Sequence, residues 1–152
     1  MRSLFLVLAL LSSFACLADP LKLPDDNAER TARIASYHRD FPSTRFALFY
    51  VPSKGQGSDA LALAAIRTGA GSSNTRELSK QIAGLNGSPR RVAVTGPNDE
   101  LAAETLLFVL GSLQPAQVAN LNVAYIGAPG YESQLRVAGD KLGIEIAYVS
   151  HP

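Results

Sequence analysis

Short apolar runs alternate with longer segments of mixed polarity along most of the chain. Four of these runs are rich in β-branched or aromatic residues and have the length of buried strands. The segments between them are longer and repeat apolar residues at helical spacing, as Leu78, Ile82 and Leu85 do at i, i+4 and i+7. We therefore predict strands at 46–51, 92–95, 123–126 and 144–149, separated by helices.

Capping residues and helix breakers mark the ends of several predicted helices. Asp26 and Glu29 have capping-box spacing, and the short helix that follows them stops at Pro42, with Ile34 and Tyr37 facing inward. Further helices are predicted to start at Ser58 or Asp59, at Asn74 with Glu77, and at Asp99, and a last one is predicted to run from Tyr131 and end before Gly143.

The helix that begins at Asp99 is apolar on most of its sides, which is typical of a helix inside a core. Asp99 and Glu100 lie in its first turn, where the helix dipole favours negative charge. We predict this to be the most buried helix, and its apolar residues are Leu101, Leu106, Leu107, Phe108, Val109, Leu110 and Leu113.

The alternation of strands and helices predicts an α/β fold. We expect a small three-layer sandwich with a mostly parallel sheet of about four strands and helices on both faces. Residues 45–152 would form this single α/β domain, and residues 19–44 a lead-in with a short helix. Right-handed crossovers would place each loop that follows a strand at the carboxyl edge of the sheet.

Residues 1–18 are predicted to be a secretory signal peptide. Arg2 supplies a basic start, residues 4–11 are uniformly apolar, and small residues follow at Ala15 and Ala18. The apolar run is shorter than the roughly 20 residues that span a bilayer, so no transmembrane span is expected after cleavage. The mature protein would then be periplasmic or secreted.

Cys16 offers an alternative ending for this segment. A lipoprotein signal also places small residues before a cysteine, but Ser13 and Phe14 depart from its usual pattern. Ordinary cleavage after Ala18 is therefore the favoured prediction, and it leaves a mature chain without cysteine.

Composition narrows the functional classes. The chain has 152 residues, of which 47% are hydrophobic, and 14 basic residues stand against 13 acidic ones, for a net charge of +1. This balance gives no electrostatic reason to expect nucleic-acid binding. One cysteine and two histidines exclude a disulfide framework and a multi-cysteine zinc site. We predict no metal and no cofactor.

Signatures of catalysis are absent from the sequence. It contains no G-x-S-x-G, no S-x-x-K and no H-E-x-x-H motif. His38 is expected at a helix end, and His151, next to the C-terminus, is expected to be solvated. Arg30 and Arg33 are interpreted as part of a solvated helix face.

The strongest functional pattern is the loop 55–60, which matches G-x-G-x-x-A between a predicted strand and a predicted helix. Its glycines would expose backbone N–H groups at a helix N-terminus, where an anion is attracted. Pro52 and Ser53 lengthen the turn, however, and the Asp59 carboxylate can occupy those N–H groups and repel an anion. An ordinary glycine-bearing loop is the favoured interpretation, and any anion affinity should be low.

Two other loops, 95–98 and 127–130, also follow predicted strands and would line the same edge. Turn chemistry alone explains their glycines and prolines and is the favoured interpretation. If the protein binds a ligand, we predict that its site contains Ser53, Lys54, Gly55, Gly57, Ser58, Asn98 and Tyr131.

Two functional classes remain open. The favoured one is an exported, non-catalytic protein that binds a small polar ligand or another exported or envelope protein. The alternative is a small exported enzyme, such as a hydrolase, at the carboxyl edge of the sheet. The polar groups available to it there are Ser53, Lys54, Ser58, Asp59, Asn98, Asp99 and Glu132.

Overall fold

The computed structural model describes residues 26–86 and 89–151. The predicted signal peptide, including Cys16, and the lead-in up to residue 25 lie outside these residues. The helices are α1 (Asp26–Asp40), α2 (Gln56–Arg67), α3 (Ser73–Gly84), α4 (Asp99–Ser112) and α5 (Glu132–Leu142). The strands are β1 (Ala47–Tyr50), β2 (Arg90–Thr95), β3 (Leu121–Gly127) and β4 (Ile146–Ser150), and 3-10 turns occupy Pro115–Val118 and Pro129–Tyr131.

The four strands form one parallel sheet whose spatial order, β1-β2-β3-β4, is their order along the chain. Leu48, Ala93, Ala124 and Ala147 are register partners across the whole sheet. The parallel arrangement confirms the predicted α/β class. It also brings the loops that follow β1, β2 and β3 to one edge, because parallel strands share their carboxyl ends.

The helices form two layers, one on each face of the sheet. Leu63 of α2, Leu78 of α3, Leu106 of α4 and Leu135 of α5 all pack into the larger core, against the sheet face that carries Val92. On the opposite face, Tyr37 of α1 packs in a smaller core formed with Ala93, Ala124, Ile126 and Val149. The sandwich therefore has three layers, as predicted, but a single described helix forms the second outer layer.

Helix α4 is the most buried helix, as its sequence predicts. It lies between α2 and α3 on one side and α5 on the other. Leu107 and Phe108 are only half-buried, and both pack against the edge of the core. The buried residues of α4 are Leu101, Ala102, Ala103, Thr105, Leu106, Val109 and Leu110.

Small side chains on the sheet allow α1 to pack closely. Ala93 and Ala124 present little volume on this face, and the Tyr37 ring lies over it, 4% exposed. The Tyr37 ring centroid is 3.9 Å from that of Phe46 and 5.0 Å from that of Phe41. This aromatic cluster fixes the C-terminal half of α1 on the sheet.

Two helix starts differ from the predicted ones. Helix α2 begins at Gln56, before Ser58, because Gly55 adopts φ 95°, a conformation that favours glycine and turns the chain into the helix. Helix α3 is capped by Ser72 with Thr75 in a reciprocal capping box, and not by Asn74 with Glu77. The last helix ends as predicted, at Gly143 with φ 69°.

In the part of the chain that the structure covers, no helix combines the length and the apolar character needed to cross a bilayer.

Candidate functional site

The loops that follow β1 and β2 are joined by one buried carboxylate. Asp59, in the first turn of α2, is 5% exposed. Its oxygens accept hydrogen bonds from Ser53 Oγ at 2.6 Å, the Lys54 N–H at 3.0 Å and Asn98 Nδ2 at 3.0 Å. Asn98 Oδ1 in turn accepts the Leu101 N–H at 3.1 Å and caps α4. One chain of hydrogen bonds thus links the starts of α2 and α4.

The three donors also determine the ionisation of Asp59. Burial by itself would raise the pKa of this carboxyl, but the hydrogen bonds from Ser53, Asn98 and the Lys54 N–H outweigh burial and lower the pKa below its ordinary value. Asp59 is therefore a carboxylate at neutral pH, and its oxygens are occupied by donors from the protein itself.

An open cleft of about 590 Å³ lies between the two loops. Two carboxylates at its rim are paired with arginines: Asp99 accepts from Arg33 Nη1 at 2.8 Å, and Glu100 contacts Arg67. The charge at the rim is therefore largely compensated. The cleft is lined by Ser53, Gly55, Gln56, Asp59, Ala60, Leu63, Pro97, Asn98, Asp99 and Glu100.

The structure brings some of the seven predicted site residues together. Ser53, Gly55 and Asn98 line the cleft, and Lys54 contributes its backbone N–H to Asp59 while the residue itself is exposed.

The other three predicted residues lie elsewhere. Gly57 and Ser58 are exposed in the first turn of α2 and do not line the cleft. Tyr131 lies outside the cleft, where burial and the negative charges of Glu100 and Glu104 raise its pKa.

The glycine-bearing loop does not form a dinucleotide-type turn. Gly55 precedes the helix and Gly57 already belongs to it, so the two glycines do not shape one tight turn before the helix. The Asp59 carboxylate accepts a backbone N–H of this loop, but the donor is Lys54, whereas the N–H of Gly55 points to Ser53 Oγ at 3.4 Å. Space beside both glycines is nevertheless open, because a Cβ added at either position would meet no atom within 4 Å.

A second polar cluster lies under α1 at the same edge of the sheet, and the sequence interpretation missed it. Arg33 is 3% exposed, so the expectation of a solvated face was wrong for this residue. Its Nε donates to Glu29 at 2.7 Å, and its Nη1 donates to Asp99 and lies 3.3 Å from both Thr95 Oγ1 and the Ile126 carbonyl.

The helical spacing of α1 explains why Arg33 is buried. Glu29, Arg33 and Tyr37 follow one another at i, i+4 and i+8 and form the stripe that faces the sheet. Extending this stripe backwards from the predicted inward residue Tyr37 would have placed Arg33 inside. Acidic neighbours nearby on the same helix favoured the opposite interpretation.

His151 is also less solvated than predicted, since its side chain is 11% exposed. Its Nδ1 lies 3.1 Å from Ser36 Oγ, and its Nε2 lies 3.6 Å from Glu29 Oε1. Strand β4 runs to Ser150, so the following residue still lies at the sheet edge under α1. Position in the sequence was a poor guide because β4 carries the chain under α1 as far as this residue.

Two tyrosine hydroxyls complete the carboxyl edge. Tyr125 donates to the Asp99 carbonyl at 3.0 Å, and Tyr148 donates to the Gly127 carbonyl at 2.7 Å. Burial raises the pKa of both phenols, so they remain protonated donors at neutral pH. Their rings stack with centroids 6.2 Å apart and support the end of β3.

Among residues 26–86 and 89–151, no group of three or more His, Cys, Asp or Glu side chains is arranged to hold a metal ion. Within each of the two clusters, the polar groups bond chiefly to other groups of the same cluster.

No family model, no curated protein and no solved structure matches this chain.

Proposed function

We propose that this chain is an exported, non-catalytic binding protein. Its ligand would be a neutral polar group, either a small uncharged molecule or backbone amides of another exported protein. The proposed site is the cleft between the loops that follow β1 and β2. The expectation of export rests on the sequence pattern of residues 1–18.

One observation carries this proposal: the Asp59 carboxylate that lines the cleft accepts hydrogen bonds from Ser53, Lys54 and Asn98. A carboxylate with three internal donors and a lowered pKa holds its loops in place and is a weak proton acceptor. Its negative charge also disfavours an anionic ligand at the N-terminus of α2. An uncharged ligand is not repelled by this charge, and the space beside Gly55 is open to it, because an added Cβ there would meet no atom within 4 Å.

A specific contact favours the enzyme as a second candidate. The Ser53 hydroxyl lies 2.6 Å from Asp59, so a nucleophile and a carboxylate are within hydrogen-bond reach. The lowered pKa of Asp59 makes it a poor base for removing the serine proton. The two histidines contact other residues: His38 lies against Tyr37 and Phe46, and His151 lies against Ser36 and Glu29. Binding is therefore the stronger candidate.

Chemical-shift mapping tests the binding site. The uncharged probe is N-acetyl-dialanine amide, with glucose as a second neutral probe and inorganic phosphate as the anionic control. We expect a neutral probe to shift the amide signals of Gly55, Gln56 and Asn98, and phosphate to leave them unchanged. Phosphate binding in the cleft, or no response to either neutral probe, would contradict the proposal.

Two arginine variants test whether the shifts caused by the neutral probe come from binding in the cleft. Ala60 is exposed and lines the cleft, whereas Ala64 is exposed one turn further along α2 and does not line it. Ala60→Arg should therefore abolish the shifts, and Ala64→Arg should leave them intact.

Incubation with a fluorophosphonate tests the second candidate, the enzyme. Labelling that Ser53→Ala removes would favour the enzyme, and an unchanged intact mass would favour the binding protein.

A further inference from the structure

A second pocket lies at the amino edge of the sheet, at the opposite end of the strands from the cleft. It has a volume of about 180 Å³ and lies on the face of the sheet that α1 covers, with Phe41, Ala124 and Ala147 among its walls. Because α1 is the only described helix on this face, the sheet beyond its C-terminal end stays open. The space is large enough for several water molecules or one small organic molecule.

Tyr37 brings a buried hydroxyl group to this pocket. The residue lines the pocket and is buried, yet its hydroxyl forms no hydrogen bond within residues 26–86 and 89–151. In the same part of the chain, only the Thr105 hydroxyl is a fully enclosed polar side-chain atom without a partner. The Tyr37 oxygen is therefore not fully enclosed, and the pocket is the open space beside it. A buried hydroxyl without a protein partner is available to a ligand.

Arg91 is the charged residue that lines the pocket. It lies near the start of β2 and is half-buried, and its side chain forms no ion pair or hydrogen bond with the described residues. Burial raises the pKa of the Tyr37 phenol, and the nearby charge of Arg91 opposes that rise only in part. Tyr37 is thus a protonated donor beside an unpaired guanidinium.

Two further polar side chains line the same pocket. Thr44 follows α1, and Asn122 is the register partner of Arg91 on β3. Neither side chain forms a hydrogen bond with another residue that the structure describes. The guanidinium, the phenol, the threonine hydroxyl and the amide can all donate hydrogen bonds. The pocket therefore gathers four unused donor groups and one positive charge.

Glu145 is the acidic residue that continues the row of Arg91 and Asn122 across the sheet. It is exposed and lines a neighbouring groove, not this pocket. Two strand spacings separate it from Arg91, which is about 10 Å. Salt screens exposed charges over about 10 Å, so Glu145 leaves the positive charge of the pocket largely uncompensated.

We propose that this pocket binds the carboxylate of a small organic acid with a short apolar chain. The planar guanidinium of Arg91 can hold a carboxylate through two parallel hydrogen bonds, and the Tyr37 hydroxyl adds a third donor. Phe41, Ala124 and Ala147 offer apolar contacts to the chain of the acid. Arg91 repels a cation and gains no ion pair from a neutral molecule. This site is separate from the cleft and does not rest on the function proposed for it.

Titration with butyrate, followed by chemical shifts, tests the site, and butyramide is the uncharged control of nearly the same shape. We expect butyrate to cause saturable shifts of the Thr44 N–H, the Asn122 side-chain amide and the Arg91 Nε–H. Butyramide should leave these signals unchanged. Equal shifts with butyramide would overturn the proposal, as would butyrate shifts at Gly55 with Thr44 unchanged, because binding would then lie in the cleft.

The C-terminal carboxylate of a peptide has the same chemistry as a free acid. N-acetyl-dialanine carries such a carboxylate and is compared with butyrate in the same titration. Tighter binding of butyrate would support a free acid as the natural ligand, and tighter binding of N-acetyl-dialanine would support a peptide terminus. The absence of saturable shifts with both acids would overturn the proposal.

Arg91→Gln tests the charge. We expect it to weaken butyrate binding at least about tenfold, because it removes a charged hydrogen-bonding partner of the carboxylate. Arg76→Gln is the matched control: Arg76 is exposed on α3, which packs on the other face of the sheet. It loses the same charge and should bind butyrate as wild type does. Unchanged affinity in Arg91→Gln would overturn the proposal.

Tyr37→Phe tests the hydroxyl, since it keeps the ring that packs against Phe46. We expect the affinity for butyrate to fall about two- to tenfold. The urea midpoint should not fall, because the hydroxyl has no protein partner to lose. A lower midpoint with unchanged affinity would show that the hydroxyl serves the fold, and would overturn the proposal. Circular dichroism that matches wild type would show that each variant is folded.

Discussion

Arg33 donates from Nη1 to Asp99 Oδ1 over 2.8 Å, joining two helices that lie on opposite faces of the sheet. Arg33 belongs to α1, and Asp99 starts α4, 66 residues later. The contact passes over the carboxyl ends of β2 and β3, where Thr95 and the Ile126 carbonyl also lie near the guanidinium. Among the described helices, only α1 covers this second face of the sheet. The Arg33–Asp99 ion pair therefore holds α1 to the rest of the fold.

Replacing Arg33 should destabilise the protein strongly. Arg33→Ala leaves Glu29 and Asp99 without their cation, and breaking a buried ion pair costs about 3–5 kcal/mol. We expect the lower end of this range, because the two carboxylate side chains are 31% and 27% exposed and keep contact with water.

Urea unfolding of the variants measures this effect. The control is Arg30→Ala on the same helix, where the guanidinium lies 5.7 Å from the Tyr50 ring centroid at the surface and its loss should cost about 1 kcal/mol or less. Arg33→Lys should fall between wild type and Arg33→Ala, because lysine keeps the charge but loses the planar fork. Equal losses of stability for Arg30→Ala and Arg33→Ala would contradict the conclusion that the Arg33–Asp99 ion pair holds α1 to the rest of the fold.

Leu106 is fully buried in α4, so shortening it should create a cavity. Leu106→Ala is expected to lower the free energy of unfolding by about 2–5 kcal/mol, and Leu110→Ala by a similar amount. Leu107→Ala should cost less, because Leu107 is only half-buried. Leu61→Ala, at a position that is 75% exposed, is the matched control and should stay within about 0.5 kcal/mol. Denaturant titration of the four variants makes the comparison.

The stability contributed by the Asp59 carboxylate should depend on pH. Its folded pKa is lowered, after the hydrogen bonds from Ser53, Asn98 and Lys54 outweigh the effect of burial. The contribution is therefore complete well above the ordinary value of 3.8, declines as the pH falls below it, and disappears below the lowered folded pKa.

Asp59→Asn provides the measurement. Near neutral pH we expect wild type to be about 1–3 kcal/mol more stable than this variant, because the amide cannot accept all three donors. The gap should shrink as the pH is lowered through this acid range. The exposed Asp140→Asn is the control for the loss of one carboxylate. A gap that widens in acid would show that the sign of the pKa shift is wrong.

As part of the proposed export, we predict that the mature chain begins near Asp19. The apolar run 4–11 and the small residues before Asp19 predict cleavage after Ala18. Intact mass spectrometry of the protein recovered from the exporting cell checks this. A mass that includes residues 1–18, or a lipid on Cys16, would refute the prediction.

Local sequence determined the helices and strands, and it also determined which helix is the most buried. The four apolar runs predicted four strands, and the nearly all-apolar segment after Asp99 predicted the central helix α4, because burial on many sides needs apolar residues on many sides. The alternation predicted a parallel sheet and hence a carboxyl edge with three loops. A contact between Asp59 and the N–H groups of the preceding loop was also predicted, because they are only a few residues apart, but the donor proved to be Lys54 and not a glycine.

Tertiary structure alone decided which polar groups meet at that edge. The strand order β1-β2-β3-β4 keeps α2 to α5 on one face and leaves the other to α1, so that Arg33 reaches Asp99 and His151 lies beneath Ser36. These partners are far apart in sequence, and neither residue carries a local sign of the other. The periodicity of apolar residues shows which side of a helix or strand is apolar. The burial of a charged side chain depends instead on an oppositely charged group that the fold brings close from a distant part of the sequence.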